Sequence, residues 1–280
     1  RLHYLHHSIF KKEIYMSSII RKGFLSISIL FATTMTLNAA HAAEDTANQK
    51  GTMGYGYQKY LDEHPEKAQK EKPESSFRSE AGTTAAGERV LDISEWQGDL
   101  TAQQVKDLKS NYDFIIIRAQ YGSEKVDATL EHNSNLLDKY NLDFGVYSYS
   151  MYENPEDARY EAQTLYNRAP KASFYINDFE ENTVTSGTTE ESTSAWYDEM
   201  RSLAGDKKIL FYSYENFMKE HASESVGQYD GYWIANYNPG QPTQEHVLWQ
   251  YTDSYASPEL NQNVDANYTG PGVDTSWFTS

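Results

Sequence analysis

Asp178 and Glu180 stand one residue apart at the end of a short aromatic and aliphatic run, Ser173-Phe-Tyr-Ile-Asn-Asp-Phe-Glu-Glu181. In an extended chain residues i and i+2 face the same side, so both carboxyls would enter one cleft. Like charges held together at the edge of a core repel, and loss of water disfavours the ionised forms, so at least one pKa should be pushed up. A pair with separated pKa values can act as acid and base at one pH. A polar strand end turning into solvent would give the same pattern, and the rest of the chain has to decide between them. By the same alternation Glu181 points to the other side and is expected to be dispensable.

The elements that would position this pair begin after Arg89, where short apolar runs alternate with helical patterns. Strands are predicted over 90–93, 114–119, 144–149, the opening stretch, 208–212, 232–235, 247–251 and around Val264. Helices are predicted over 101–110, 128–140, 155–169 and 190–204. In the third helix Pro155 falls in the first turn and Ala158, Ala162 and Leu165 share a face; in the fourth, Trp196, Met200 and Leu203 fall at i, i+4 and i+7. Continuous apolar strands alternating with helices predict a parallel sheet covered on both faces. Eight strands suggest closure into one α/β domain, a TIM-like (β/α)5(β)3 barrel, in which three late strands with short connections explain a length below the usual ~250 residues. An open doubly wound sheet is the competing topology, but no Gly-x-Gly-x-x-Gly follows the first strand.

In such a barrel the reactive groups sit at the carboxyl ends of the strands. Those ends carry Asp92, Arg118 and Gln120, Tyr147 and Tyr149, Asp178 and Glu180, Tyr212 and Tyr214, Asn236 and Tyr237, Trp249, Gln250 and Tyr251, and Asp265. Carboxylates among flat aromatic faces suit glycosidic bond hydrolysis, which needs an acid for the leaving oxygen, negative charge for an oxocarbenium-like centre and platforms for sugar rings. Clustered carboxylates could instead hold Ca²⁺ or Mg²⁺, although Tyr and Trp suit a hydrated hard cation poorly. No Gly-x-Ser-x-Gly elbow, His-x-x-x-His or Walker-type loop is present, and His132, His221 and His246 are isolated. No metal or cofactor is therefore expected.

Composition narrows the partners. The chain has no cysteine, which excludes disulfides and thiol chemistry. Its formal charge of −17 disfavours nucleic acid and anionic membranes. Arg21 and Lys22, an apolar run to Leu37 and the site Ala40-His41-Ala42 read as a signal peptide over 16–42, with an uncleaved anchor as the alternative. Residues 1–15, ahead of Met16, read as an upstream extension outside the protein proper. Residues 43–88, rich in Glu, Lys, Gly, Ser and Thr, read as a disordered spacer, with a short helix or wall-contact segment around Tyr55, Tyr57 and Tyr60 as the other reading. Residues 89–280 are the barrel. The expected product is a monomeric secreted protein with no stable membrane insertion after signal cleavage.

Seven stretches in order, Asp92-Ile-Ser-Glu-Trp-Gln-Gly98, Phe114-Ile-Ile-Ile-Arg-Ala-Gln-Tyr-Gly122 with Asp127 and Asn133, Gly145-Val-Tyr-Ser-Tyr149, Asp178-Phe-Glu180, Tyr232-Trp-Ile-Ala-Asn-Tyr237, Leu248-Trp-Gln-Tyr251 and Val264-Asp265, resemble glycoside hydrolase family 25, the Chalaropsis-type lysozymes. The resemblance implies a flattened barrel and hydrolysis of the β-1,4 bond from N-acetylmuramic acid to N-acetylglucosamine in the peptidoglycan glycan strands of the bacterial cell wall. Glu180 is then the expected general acid, with Asp178, Asp92 and Asp265 as its catalytic companions. Gln97, Arg118, Tyr147, Tyr149, Tyr212, Asn236, Tyr237, Trp249 and Gln250 are the expected substrate-binding set. Ser148 departs from the family, whose third strand often carries His there, and is expected to remove an imidazole from the rim. A chitinase-like endo-N-acetylglucosaminidase and a non-catalytic wall-binding protein on the same scaffold are the alternatives.

Overall fold

The computed structural model describes residues 53–65, 87–222 and 225–280. The expected extension, the signal peptide and most of the spacer lie outside the described residues. The unit that contains the barrel spans Ala47–Ser280.

Seven strands run parallel around the barrel: β1 (Arg89–Ile93), β2 (Phe114–Tyr121), β4 (Asp143–Tyr149), β5 (Phe174–Asp178), β6 (Ile209–Tyr214), β7 (Gly231–Ala235) and β8 (Leu248–Ser257). The last, β9 (Gln262–Thr269), is antiparallel to both β8 and β1 and closes the barrel between them. A two-residue strand, β3 (Lys125–Val126), folds back on the end of β2 outside the ring. The wholly parallel sheet expected from the sequence therefore fails at one strand. A parallel connection needs a crossover of about a dozen residues, whereas only 258–261 separate β8 from β9, with Asn261 in the left-handed conformation at φ 54°.

Helices α2 (Ala102–Asn111), α3 (Leu130–Tyr140), α4 (Pro155–Arg168), α5 (Thr189–Ala204) and the short α6 (Glu215–His221) follow the first five barrel strands and complete the five-plus-three plan. Their starts are written in side chains. Asn154 Oδ1 accepts from the amides of Glu156 and Asp157 ahead of α4. Thr188 and Glu191 satisfy one another's amides reciprocally ahead of α5.

The end of the barrel away from the strands' carboxyl ends is sealed by aromatic rings. Phe114 and Phe174 at the starts of their strands meet Phe278 of the C-terminal helix α7 (Ser276–Thr279), with centroids 5.1–5.5 Å apart. Gly145 makes room for this plug, because a Cβ there would lie 2.3 Å from the Phe174 ring.

A helix also occupies part of the expected spacer. The expectation of a disordered tether fails at α1 (Tyr55–Glu63), which packs against the barrel with Met53 and Tyr57 buried. Two apolar anchors and a tyrosine-rich face suffice to hold a segment whose average composition is that of a tether. Among the described residues no helix is long and apolar enough to cross a membrane.

Gly145→Ala should lower the unfolding free energy by about 1–3 kcal/mol, the usual cost of overpacking a filled core. Chemical denaturation checks this; an unchanged midpoint would show that the Phe174 ring yields freely.

Candidate active site

The parallel register sets Asp178, the last residue of β5, beside Tyr149 of β4 and Tyr212 of β6. On the other side of the barrel Asp92 of β1 sits directly opposite Asp265 of β9. Asp265 reaches the mouth because β9 runs backwards: it lies in the first half of its strand and not at the carboxyl end expected for it. All four acids thus meet at one mouth.

Each acid has a different environment. Asp92 is buried and accepts from Asn267 Nδ2 at 2.7 Å and from Gln250 Nε2 at 3.3 Å to both oxygens. Those amides are oriented by their own oxygens: Gln250 Oε1 accepts from the hydroxyls of Tyr212 and Tyr237, each at 2.7 Å, and Asn267 Oδ1 accepts from Trp233 Nε1 at 2.6 Å. Burial still pushes Asp92 up to about 6 against these donors. Asp178 is wholly buried and no hydrogen-bond donor among the described residues reaches either of its oxygens. Burial, and then the neighbouring Glu180 and Asp92, raise its pKa well above the ordinary range. A neutral acid whose O–H can reach Glu180 is the form this surrounding favours.

Glu180 receives three backbone donors, all from the N-terminal end of α1: Gly54 N at 2.6 Å to Oε1, and Gly56 N at 2.8 Å and Tyr57 N at 3.3 Å to Oε2. Burial outweighs them and pushes the carboxyl up to about 8. Asp265, raised well above its ordinary value by burial and then by Asp92 and Asp253, completes the group. Desolvation with like-charge crowding separates these carboxyls from ordinary surface acids, as a site of proton transfer requires.

Some of the expected binding residues join this cluster. Burial holds the Tyr147 hydroxyl protonated, and Asp92, Asp178 and Asp265 add to this against the opposing charge of Arg118. Tyr212, Tyr237 and Gln250 form the hydrogen-bonded frame just described. Tyr149 stacks on Tyr121 at 5.1 Å and donates to Glu181 Oε1 at 2.8 Å. Glu181 therefore does not point away from the site: β5 ends at Asp178, and past that point the alternation on which the expectation rested no longer holds.

Others are occupied elsewhere. The buried guanidinium of Arg118 pairs with Asp127 at 2.8 Å and Glu95 at 2.7 Å. Gln97 turns its side-chain oxygen to the Ser94 amide at 2.8 Å. Asn236 Oδ1 accepts from the amide of Asn238 at 3.0 Å. Trp249 lies on the face of β8 opposite Gln250, its ring against Tyr251 and Tyr268 and its Nε1 donating to the Asn236 carbonyl at 2.7 Å. Ser148 also faces away from the mouth, between Tyr147 and Tyr149, so the expected loss of a rim imidazole does not describe it. Its Oγ donates to Glu161 Oε1 at 2.8 Å in the layer between barrel and α4.

Three contributors escaped sequence reasoning. Asn267 was recoverable, since it stands two residues past Asp265 and shares its face. Glu161 was hidden on a helix face among exposed acids. The contact from α1 carried no signal beyond its tyrosines and glycines. Among the described residues no group of three His, Cys, Asp or Glu side chains is arranged to hold a metal ion.

A closed barrel whose mouth gathers four carboxyls among tyrosine rings is the architecture of a glycosidase. The model for glycosyl hydrolases family 25 matches residues 91–260, and the chain belongs to that family. The catalytic domain of the endolysin ply40, from a bacteriophage of Listeria monocytogenes, is 28% identical with a TM-score of 0.61, over 70% of this chain and 97% of that one. A family 25 glycosyl hydrolase of Streptococcus pneumoniae, described as participating in host cell invasion, shares the fold at 23% identity and a TM-score of 0.60, over 68% and 90% of the two chains. The modular autolysin LytC of the same species, solved with a synthetic peptidoglycan ligand, is 25% identical with a TM-score of 0.53, over 66% and 47%. Among curated protein sequences none matches the chain.

The raised carboxyls fix a pH dependence of stability. Glu161, buried and bonded to Ser148 and the Met151 amide, is pushed up to about 7 by burial, as Asp92 is to about 6 and Glu180 to about 8. Between the ordinary carboxylate range and these values the folded chain keeps protons that the unfolded chain has released, so stability is greatest at the acidic side and falls as pH rises. Thermal unfolding should shift to lower temperature from pH 5 to 8, and Glu161→Gln should flatten the slope between pH 5 and 7. A midpoint that rises over that range would contradict the assignment.

Proposed function

We propose that this glycosidase is a secreted lysozyme, a 1,4-β-N-acetylmuramidase that cleaves the bond from N-acetylmuramic acid to N-acetylglucosamine in peptidoglycan, with Glu180 as general acid. The observation that carries the reading is the Asp178 and Glu180 pair, buried at the mouth of a family 25 barrel and facing Asp92 and Asp265. A carboxyl pushed up to about 8 holds its proton at neutral pH and can deliver it to a glycosidic oxygen. Asp178, deeper and without a donor of its own, orients the substrate N-acetyl group while neutral, or passes its proton to Glu180 as Glu180 protonates the glycosidic oxygen and then supplies negative charge to the oxocarbenium-like centre. Asp92, held by Gln250 and Asn267, and Asp265 opposite it form the acidic floor. Tyr237, half-buried at the mouth, offers its ring to a sugar, while the buried Tyr147 and Tyr212 shape the floor beneath it.

The endolysin and autolysin likenesses support peptidoglycan as the substrate, and the printed ligand of LytC supports it for that relative. The basic pair Arg21-Lys22, the apolar run and Ala40-His41-Ala42 support export, with the signal at 16–42 and the hydrolase over 89–280.

Glu180→Gln should reduce lysis of purified cell walls by about 10²-fold or more, the scale of losing a positioned acid, while unfolding stays cooperative. Mass spectrometry of the muropeptides released on prolonged digestion decides the bond: muramic acid at the reducing end supports the reading, and glucosamine there would refute it.

A further inference from the structure

We propose that residues 53–65 are a built-in inhibitor that fills the mouth of the barrel and keeps Glu180 from its substrate until the segment is displaced. This rests on the reading of Glu180 as the general acid. Segment and barrel are joined by insertion rather than by surface contact. A Cβ on Gly54, itself left-handed at φ 82°, would lie 2.2 Å from the Tyr237 hydroxyl. One on Gly56 would lie 2.6 Å from Glu180 Cβ and 2.7 Å from its carbonyl oxygen. Only glycine lets the chain come so close, and the two glycines flank the start of α1 as Gly-Tyr-Gly.

The contact opposes catalysis in two ways. It takes the space: the Tyr57 ring packs on Tyr214 and Tyr237 with centroids 5.5 and 5.1 Å away, Tyr60 packs on Tyr214 at 5.4 Å, and Asn238 and Asn216 donate to the two tyrosine hydroxyls. These are aromatic and amide groups of the kind that bind sugars. It also takes the oxygens themselves, because three N–H groups at the start of α1 occupy Oε1 and Oε2 of Glu180. A general acid needs its carboxyl free to reach the glycosidic oxygen.

The arrangement is poised to open. Nine residues are fewer than the ~12 that an isolated helix needs to be stable in water, so the barrel itself orders α1. A covalent connection supplies an effective concentration of order mM, which severing the chain or competing glycan would undo. The enzyme is thereby latent as made and active once the segment leaves.

The full chain tests this without truncation. Gly56→Val forces α1 off Glu180, and Tyr57→Ala with Tyr60→Ala removes the aromatic grip without crowding the acid, so the second variant decides if the first does not fold. Each should lyse purified walls at least about tenfold faster than the parent chain, since apparent affinity scales with the open fraction. Each should also be cut faster by chymotrypsin within 53–65. Faster cutting with lysis within twofold of the parent, or slower lysis by a folded variant, would overturn the proposal. If the parent and variants lyse equally while Glu180→Gln does not, the inhibitor fails and the glycosidase reading stands; if none lyses although the segment is released, the choice of substrate and of Glu180 as acid fails with it.

Discussion

Desolvation of carboxyls at the barrel mouth is the constraint on which the rest of the structure depends. Four acids brought together out of water would repel one another and resist burial, and the fold answers with oriented amides and hydroxyls on some and with retained protons on others. Gln250 and Asn267 present their N–H groups to Asp92 only because tyrosine hydroxyls and the Trp233 indole occupy their oxygens. Asp178 has no such help, and its burial beside Glu180 and Asp92 favours the protonated form. Carboxyls held in such different surroundings within one mouth can keep charge on one and a proton on another.

The barrel's main plan was legible because its strands are buried on both faces and read as continuous apolar runs, and because Pro155 marks a helix start; the capping side chains of Asn154 and Thr188 became visible only in the fold. Asp92, Asp178 and Glu180 could be placed at strand ends by order alone. What could not be read was anything set by the direction or end of a strand. The reversal of β9 moved Asp265 to the mouth by a route the parallel rule does not contain. Glu181 turned toward Tyr149 because its strand had already stopped, and Trp249 turned outward because a one-residue step along β8 exchanges faces. Ser148 follows the same parity, which makes it a support for Glu161 instead of a rim residue.

The stretch before the barrel shows the limit of composition most clearly. Glu- and Lys-rich sequence with few aliphatics reads as a tether, yet Met53, Gly54, Gly56 and Tyr57 suffice to seat one short helix on a buried acid of the barrel mouth. Backbone amides leave no trace in a residue pattern, so a donor set made of three N–H groups is invisible until the chain is folded. The same amides that offset the burial of Glu180 are the ones a substrate would have to replace.

Carbon-13 NMR of the carboxyl groups, followed through a pH titration of the full chain, tests the central claim most directly. Glu180 should titrate near pH 8, far above the ordinary 4.5. A Glu180 midpoint at that ordinary value would show that the mouth is solvated, and would contradict its role as a protonated acid at neutral pH.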